Sequence, residues 1–205
     1  QAAKNGRRDP NYEWGCNPCS EILLRGPKID KNGQPVTGTG GQFCNLSEVI
    51  IRATDTKKDL LRKVRLATIL GTVQSTYTKF PYLRKIWSKN TAEERLLGVS
   101  LTGIMDNELT NGKKGDLPAL LEELKKCAVD TNKEWADRLG IEVSTAISCV
   151  KPSGTVSQLT NSSSGIHARH SPYYIRTVRG DNKDPLTEFM ISQGIPNEPE
   201  VNKPT

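Results

Sequence analysis

The sequence predicts a mixed α/β fold in which helices join strands. Apolar residues recur at helical spacing over residues 56–80, which predicts a long helix. A second long helix is expected over residues 116–140, because Pro118 stands in its first turn and Gly140 follows its last residue. Residues 144–150 are rich in β-branched side chains and predict a buried strand.

The elements between and beyond these segments follow from local signals. Pro81 is expected to close the first helix, and Thr91 with Glu94 three residues later predicts that another helix begins there. The glycine-rich residues 25–42 predict a long loop or a hairpin that turns at Asn32-Gly33. The other predicted elements are a polar connector over 1–15, a loop tip leading into a strand over 16–24, a short strand or a turn into a helix over 43–51, a strand over 173–178 and a short helix over 185–193.

Length and composition set the scale of the domain. A chain of 205 residues with 35% hydrophobic and 5% aromatic residues suits one domain, or one and a half, with a thin apolar core. Both ends are polar and begin or stop abruptly, which predicts a fragment of a longer chain. The net charge of +6 suits an anionic partner, but the basic residues are spread over helix-like segments, as on solvated faces.

Targeting signals and membrane spans are not expected. No apolar run approaches the length of about 20 residues needed to cross a bilayer. The sequence shows no export signal, so the five cysteines are expected to be free or redox-active thiols in the cytoplasm.

The Cys16-Asn17-Pro18-Cys19 stretch allows two general interpretations. A Cys-x2-Cys pair could form a zinc site with His167 and His170, but the separation of the two pairs is unlike that of a zinc finger. A thioredoxin-like dithiol normally precedes a helix, and no useful helix fits before Gly26-Pro27.

A different interpretation uses the alternation of Asn17, Cys19 and Glu21. In an extended chain these three side chains project to one side and bring together an amide, a thiol and a carboxylate. Such a set can hydrogen-bond hydroxyl groups, react through sulfur and accept a proton. A diol such as a ribose is a suitable substrate.

These residues, as Asn17-Pro18-Cys19-Ser20-Glu21-Ile22, resemble the finger-loop motif of the ribonucleotide reductases. The resemblance implies that Cys19 becomes a thiyl radical that abstracts the 3′-hydrogen of the ribose. Glu21 would be the general base for the 3′-hydroxyl group. Asn17 would orient the substrate by hydrogen bonding.

A second motif, Phe43-Cys44-Asn45-Leu46-Ser47-Glu48, begins about two dozen residues after Cys19. Taken alone, Cys44 would be a small buried core residue. The motif resembles the segment of the same family that carries one of the two cysteines that reduce the substrate. The resemblance places the partner cysteine upstream of this chain.

A third motif, Lys151 to Ser157, follows the predicted strand and could be a plain strand–loop–helix turn, with a helix beginning near Gly154. It lacks the Walker spacing. It resembles the phosphate-binding loop of adenosylcobalamin-dependent (class II) reductases. The resemblance implies a substrate-binding set of Pro152, Ser153, Gly154, Thr155, Val156 and Ser157.

Two further segments, residues 95–103 and 163–176, also resemble the family, so that the resemblance runs in one order from about residue 14 to residue 180. It implies no catalytic role for His167 or His170 and no metal ligand in the chain. Tyr173 and Tyr174 are expected to serve packing.

The resemblance implies a fold and a reaction. The family fold is a ten-stranded α/β barrel of two halves with a finger loop in its centre. Residues 1–205 would form a partial domain with the finger loop (near 14–24), most of the second half and the phosphate loop (near 151–157). Such a partial barrel is expected not to be stable or active alone. The reaction would reduce ribonucleoside di- or triphosphates with adenosylcobalamin and a thioredoxin-like reductant. Deoxynucleotide effectors would bind outside this chain, and no nucleic acid or membrane partner is expected. The alternatives are a class I subunit that needs a separate metal-bearing radical subunit and a non-catalytic zinc- or nucleic-acid-binding module.

Overall fold

A computed structural model describes Arg8 and residues 12–202 and confirms an α/β fold. The chain divides into two units, one ending at Arg169 and one beginning at His170. The described strands are β1 (Trp14–Cys16), β2 (Leu23–Arg25), β3 (Asn45–Ile50) and β4 (Leu97–Thr102), and the α-helices are α1 (Lys57–Gln74), α2 (Lys85–Glu94), α3 (Leu117–Leu139), α4 (Thr155–Leu159) and α5 (Pro185–Ser192).

Strands β1 and β2 form a short antiparallel hairpin, which confirms the predicted loop tip leading into a strand. Trp14 pairs with Arg25, and Cys16 pairs with Leu23. The glycine-rich segment that follows turns at Gly33, where φ is +77°, and is closed by a bridge between Ile29 and Pro35. The predicted connector over residues 1–15 lies largely outside the described residues.

Strands β3 and β4 are parallel and pair from Asn45 with Leu97 to Ile50 with Thr102. The strand predicted within residues 43–51 is thereby confirmed. A parallel connection needs a long crossover, and α1 and α2 supply it.

The predicted helix that would begin at Thr91 is wrong. Thr91 is buried inside α2, which ends at Glu94 and is followed by Arg95 in the left-handed region with φ of +45°. The apolar residues that follow form β4, of whose six residues five are buried. A strand covered on both faces has a continuous apolar run, so its periodicity does not separate it from a buried helix.

The prediction of α1 is confirmed at its start and is wrong at its end. The side chains and backbones of Thr56 and Asp59 form a reciprocal capping box. The helix ends at Gln74, before Pro81, because the Ser75 and Thr76 hydroxyls donate to carbonyls of the last turn at 2.7 and 2.8 Å.

Helix α3 is confirmed at both ends. Asp116 accepts a hydrogen bond from the backbone N–H of Ala119, and Gly140 follows the last turn with φ of +63°. Helix α1 packs on the β3–β4 sheet, α3 packs on α1, and residues of all four elements form one core. Its buried members are Val49, Ile51, Leu60, Val64, Val99, Leu120, Leu124 and Ala128.

The strand predicted over residues 144–150 is present only as extended chain beside β4. The Val99 N–H donates to the Ile147 carbonyl at 2.8 Å, and the Cys149 N–H donates to the Val99 carbonyl at 3.1 Å. A single bridge joins Val99 and Ser148, and Val150 is already 70% exposed. The ladder is too short for a regular strand, but it places this segment as a neighbour of β4.

The unit that begins at His170 contains α5, which confirms the predicted short helix with Asp184 as its cap. The strand predicted over residues 173–178 is wrong, because the described residues of this unit contain no strand. Tyr173 and Ile175 are almost fully exposed, and a strand needs a partner for its backbone groups. None of the helices in the described part of the chain has the length and apolar character to cross a membrane.

Candidate active site

Residues 17–22, within the predicted finger loop near 14–24, form a turn and not an extended segment. The Ser20 N–H donates to the Asn17 carbonyl at 2.9 Å, and Ser20 takes a left-handed conformation with φ of +62°. The Ile22 N–H donates to Asn17 Oδ1 at 3.0 Å and closes the turn. The predicted one-sided projection of alternating residues is therefore wrong, because the backbone reverses between Asn17 and Glu21.

The same turn nevertheless brings the amide and the carboxylate together. Asn17 Nδ2 donates to Glu21 Oε2 at 2.5 Å. Glu21 Oε1 is buried and accepts no hydrogen bond from the described residues. Because a buried acceptor without a partner is unfavourable, this oxygen is suited to a donor from a bound molecule. Cys19 lies at the tip of the turn with its thiol exposed.

Cys44 and Cys149 are two half-buried thiols beside Glu21. Burial raises the pKa of Cys44 to about 12, and the charges of Cys149 and Glu21 add to the effect. Burial also raises the pKa of Cys149 to about 11, with Glu21 as the next cause. Both thiols therefore stay protonated at neutral pH, the form that can donate hydrogen.

Cys149 lies beside the candidate site, and the sequence analysis did not single it out, because it falls within the strand predicted over residues 144–150. A side chain on Gly98 of β4 would lie 3.1 Å from Cys149 Sγ and 2.4 Å from Leu46 Cδ2. The absence of a side chain at Gly98 therefore makes room for Cys149 and Leu46 on this face of the sheet. The position of Cys149 two residues before Lys151 was the signal that could have found it.

The predicted phosphate loop follows this segment. Gly154 has φ of +57° and precedes α4, which confirms a helix beginning near this residue. The Ser157 hydroxyl donates to the Gly154 carbonyl at 2.6 Å. Ser153 is buried, and its hydroxyl oxygen has no hydrogen-bond partner among the described residues. Of the other predicted residues, Pro152, Thr155 and Val156 are exposed.

A second segment, residues 163–165, supports the phosphate loop. The Gly165 N–H donates to Thr102 Oγ1 at 2.9 Å, and Thr102 Oγ1 donates to the Ser163 carbonyl at 3.0 Å. A side chain on Gly165 would lie 3.0 Å from the Lys151 carbonyl, so the two segments are in close contact. The sequence motifs in these two segments are too short to predict the hydrogen bonds that connect them.

Asp106 binds the same segment through Ser163 and also binds Arg169. Its Oδ2 accepts from the Ser163 N–H at 2.8 Å, and its two oxygens accept from Arg169 Nε and Nη2 at 2.9 and 3.0 Å. Burial works against ionisation, but the hydrogen bonds from Arg169 and Ser163 outweigh it and lower the pKa of Asp106.

The two histidines that were considered as zinc ligands, His167 and His170, are both exposed. Within Arg8 and residues 12–202, no three His, Cys, Asp or Glu side chains are grouped so that they could hold a metal ion.

Similar curated proteins share one description. The chain is 31% identical to an adenosylcobalamin-dependent ribonucleoside-triphosphate reductase of Lacticaseibacillus paracasei, over 97% of this chain and 27% of that protein. It is 30% identical to the protein of the same description from Lactobacillus gasseri, over 93% of this chain and 27% of the relative. The chain thus spans about a quarter of the length of the curated relatives that it matches. No protein-family model matches the chain.

A solved structure shares the fold. The crystal structure of a B-12 dependent (class II) ribonucleotide reductase superimposes with a TM-score of 0.59 and 25% identity. The match covers 77% of this chain and 23% of that protein.

Proposed function

Because this chain is a homologue of one segment of the adenosylcobalamin-dependent ribonucleotide reductases, we propose that it supplies part of the active site of such an enzyme. The reaction converts a ribonucleoside di- or triphosphate to its 2′-deoxy form. The observation that carries the proposal is the finger loop, where Asn17 holds one oxygen of Glu21, the other oxygen is free, and the Cys19 thiol is exposed.

The proposed fold of the whole domain is a ten-stranded α/β barrel, of which residues 1–205 form the finger loop and most of the second half. Strands β3 and β4 and the extended residues 146–149 support it, because they lie side by side and the β3–β4 pair is parallel with a helical crossover. A partial barrel exposes its sheet edges, so this segment requires the rest of the enzyme for activity.

The finger loop carries the first steps of the proposed reaction. A thiyl radical on Cys19 abstracts the 3′-hydrogen of the ribose. Glu21 Oε1 accepts the proton of the 3′-hydroxyl, and the 2′-hydroxyl takes a proton from a thiol of the reducing pair and leaves as water. Asn17 positions this carboxylate through its bond to Oε2 and contributes an amide to substrate binding.

Cys44 supplies reducing equivalents together with a partner cysteine from another part of the enzyme. Two thiols give two electrons and two protons and become one disulfide, and the ribose exchanges its 2′-hydroxyl for hydrogen with release of water. The raised pKa of Cys44 supports this role, because a protonated thiol is the form that the step consumes. A thioredoxin-like reductant then restores the dithiol.

Residues 152–157 hold the substrate phosphates. Two observations support this assignment: the buried Ser153 hydroxyl has no hydrogen-bond partner among the described residues, and Gly154, Thr155 and Val156 are exposed. Hydroxyl and N–H groups are donors for phosphate oxygens. Binding at this loop orients the ribose toward Cys19 and Glu21.

The exposure of Cys19 supports its proposed reaction with a radical-generating cofactor. A thiol at the tip of a turn is accessible to a bound cofactor, and Cys19 is the residue of this chain from which such a group would remove a hydrogen atom. Adenosylcobalamin, when bound, supplies the radical that removes the hydrogen atom of this thiol. Deoxynucleotide effectors act through other parts of the enzyme. A cytoplasmic location is consistent with a nucleotide substrate and reduced thiols.

The proposed activity is tested by product analysis. The full-length enzyme is incubated with ribonucleoside di- and triphosphates, adenosylcobalamin and a dithiol reductant, and the nucleotides are separated by chromatography. We expect 2′-deoxynucleotide from one or both substrates, with one disulfide formed per product when no reductant is added. Recovery of unchanged ribonucleotide from every mixture would refute the proposal.

A further inference from the structure

We propose that Glu94, at the end of α2, is a positioning residue that fixes three parts of the active site relative to one another. They are the finger hairpin (β1, β2 and the turn between them), the Cys44 segment (residues 42–44) and the segment that leads to the phosphate loop (residues 145–150). This inference rests on the proposed function. No motif in the sequence indicates it, because each of its partners is far from Glu94 in the chain.

The finger hairpin is attached to Glu94 through Arg8. Arg8 Nε donates to Glu94 Oε1 at 2.9 Å, and Arg8 Nη2 donates to Glu94 Oε2 at 2.8 Å. Arg8 Nη2 also donates to the Leu23 carbonyl of β2 at 2.9 Å. Arg25 of β2 adds a second cation, whose Nη2 lies 3.6 Å from Glu94 Oε1. The carboxylate thus holds the base of the hairpin whose tip carries Cys19.

The Cys44 segment is attached to the same carboxylate through Gln42. Gln42 Nε2 donates to Glu94 Oε2 at 2.5 Å, and Gln42 Oε1 accepts from the Arg25 N–H at 2.9 Å. One amide side chain therefore connects the carboxylate to the backbone of β2. Gln42 stands two residues before Cys44, so the position of Cys44 relative to the finger hairpin depends on this bridge.

The third part is attached to the backbone of Glu94. Its carbonyl accepts from the Thr145 N–H at 3.0 Å and from the Thr145 hydroxyl at 3.3 Å. Thr145 begins the extended segment that passes Cys149 and enters the phosphate loop. Glu94 is consequently a residue where three separate active-site segments meet.

The electrostatics of this junction are those of a buried, paired anion. The Glu94 side chain is 1% exposed and that of Arg8 is 7% exposed. Burial alone would raise the pKa of Glu94, but hydrogen bonds from Arg8 and Gln42 outweigh burial and lower it. The carboxylate is therefore ionised in the folded protein, and its loss would deprive the buried Arg8 guanidinium of the counter-charge that Glu94 provides.

The hairpin cannot hold its own position, which is why the junction matters for catalysis. Strands β1 and β2 have three residues each, and an isolated two-stranded hairpin is only marginally stable. The placement of Asn17 and Glu21 therefore depends on contacts at the hairpin base. A displacement of about 1 Å in a reacting group can lower a rate on the order of 100-fold.

The test compares Glu94→Gln with Glu93→Gln in the full-length enzyme. Gln keeps the shape of the side chain and removes its charge. Glu93 is a matched control, because it is the adjacent residue of α2 and also pairs with Arg25, but its side chain is 44% exposed. Arg8→Lys is a second variant, which keeps a positive charge and loses the two-pronged contact with Glu94. Steady-state kinetics and backbone hydrogen exchange are measured for each variant.

For Glu94→Gln we expect kcat to fall about 10- to 100-fold, with KM within about twofold of the wild type. For Arg8→Lys we also expect a lower kcat and a nearly unchanged KM. Amide exchange is expected to become faster in residues 17–22 and to stay unchanged in α3, and Glu93→Gln is expected to match the wild type.

Three outcomes would overturn the inference: unchanged kcat in Glu94→Gln, unchanged exchange in the finger loop, or faster exchange spread equally over α3, which would indicate a merely structural role. The exchange measurement needs no turnover. A wild-type enzyme without reductase activity would refute the proposed function, and the exchange comparison would still decide whether Glu94 holds the finger loop.

Discussion

Cys19→Ala is expected to abolish formation of deoxynucleotide. The thiol at the tip of the finger loop is the proposed site of the radical, and a methyl group cannot lose a hydrogen atom to the cofactor under the same conditions. The loss should be on the order of 10⁴-fold or more in kcat, as when an essential reacting side chain is removed. Nucleotide affinity should be retained, because the proposed phosphate contacts lie in residues 152–157. Both quantities are measured on the full-length enzyme, by product analysis and equilibrium binding.

Cys16→Ala is the matched control for this prediction. Cys16 is also exposed, and its sulfur lies 3.6 Å from the Ser20 hydroxyl oxygen, a contact that the turn does not require. If the two cysteines acted as a dithiol or as zinc ligands, both substitutions would have the same effect. We expect Cys16→Ala to keep most of the activity. Appreciable product from Cys19→Ala would contradict the radical assignment.

Glu21→Gln is expected to lower kcat by about 10² to 10⁴-fold, the usual range for loss of a general acid–base group. Gln can still accept the hydrogen bond that Asn17 Nδ2 now donates to Glu21 Oε2, so the turn should persist. The variant loses an anionic oxygen that is buried and accepts no hydrogen bond from the described residues. Because the substitution changes proton transfer more than binding, KM should change far less than kcat.

Glu13→Gln serves as the control for the Glu21 substitution, since Glu13 is an exposed residue directly before β1 of the same hairpin. It should leave both kinetic constants close to those of the wild type. Equal losses in the two variants would assign the effect to the charge of the hairpin. Full activity of Glu21→Gln would remove Glu21 from the reaction.

The parts of the fold that could be predicted are those with local signals. Helix α3 has a side-chain cap at Asp116, Pro118 in its first turn and Gly140 after its end, and each feature acts within a few residues. Strand β4 was predicted as a helix because its residues are buried on both faces, and that burial comes from α1 and from neighbouring chain distant in sequence. Periodicity therefore failed where tertiary packing determined the structure.

In the candidate site, too, local features could be predicted and contacts between distant residues could not. The finger loop motif identified the residues that meet, but not the reversal at Ser20, a left-handed conformation that non-glycine residues seldom adopt. Cys149 and Glu94 escaped prediction because their partners lie far away in sequence. The position of Cys149 depends on the pairing of β4 with its neighbours, and that of Glu94 on the side chains of Arg8 and Gln42, which spacing alone cannot show.

We propose that this chain forms part of an enzyme that reduces ribonucleotides with adenosylcobalamin as its radical source. The most direct measurement is the yield of 2′-deoxynucleotide from the full-length enzyme, with and without adenosylcobalamin, and with no second subunit present. We predict product only when adenosylcobalamin is added. Product that forms without it, or only after addition of a metal-bearing radical subunit, would contradict the claim.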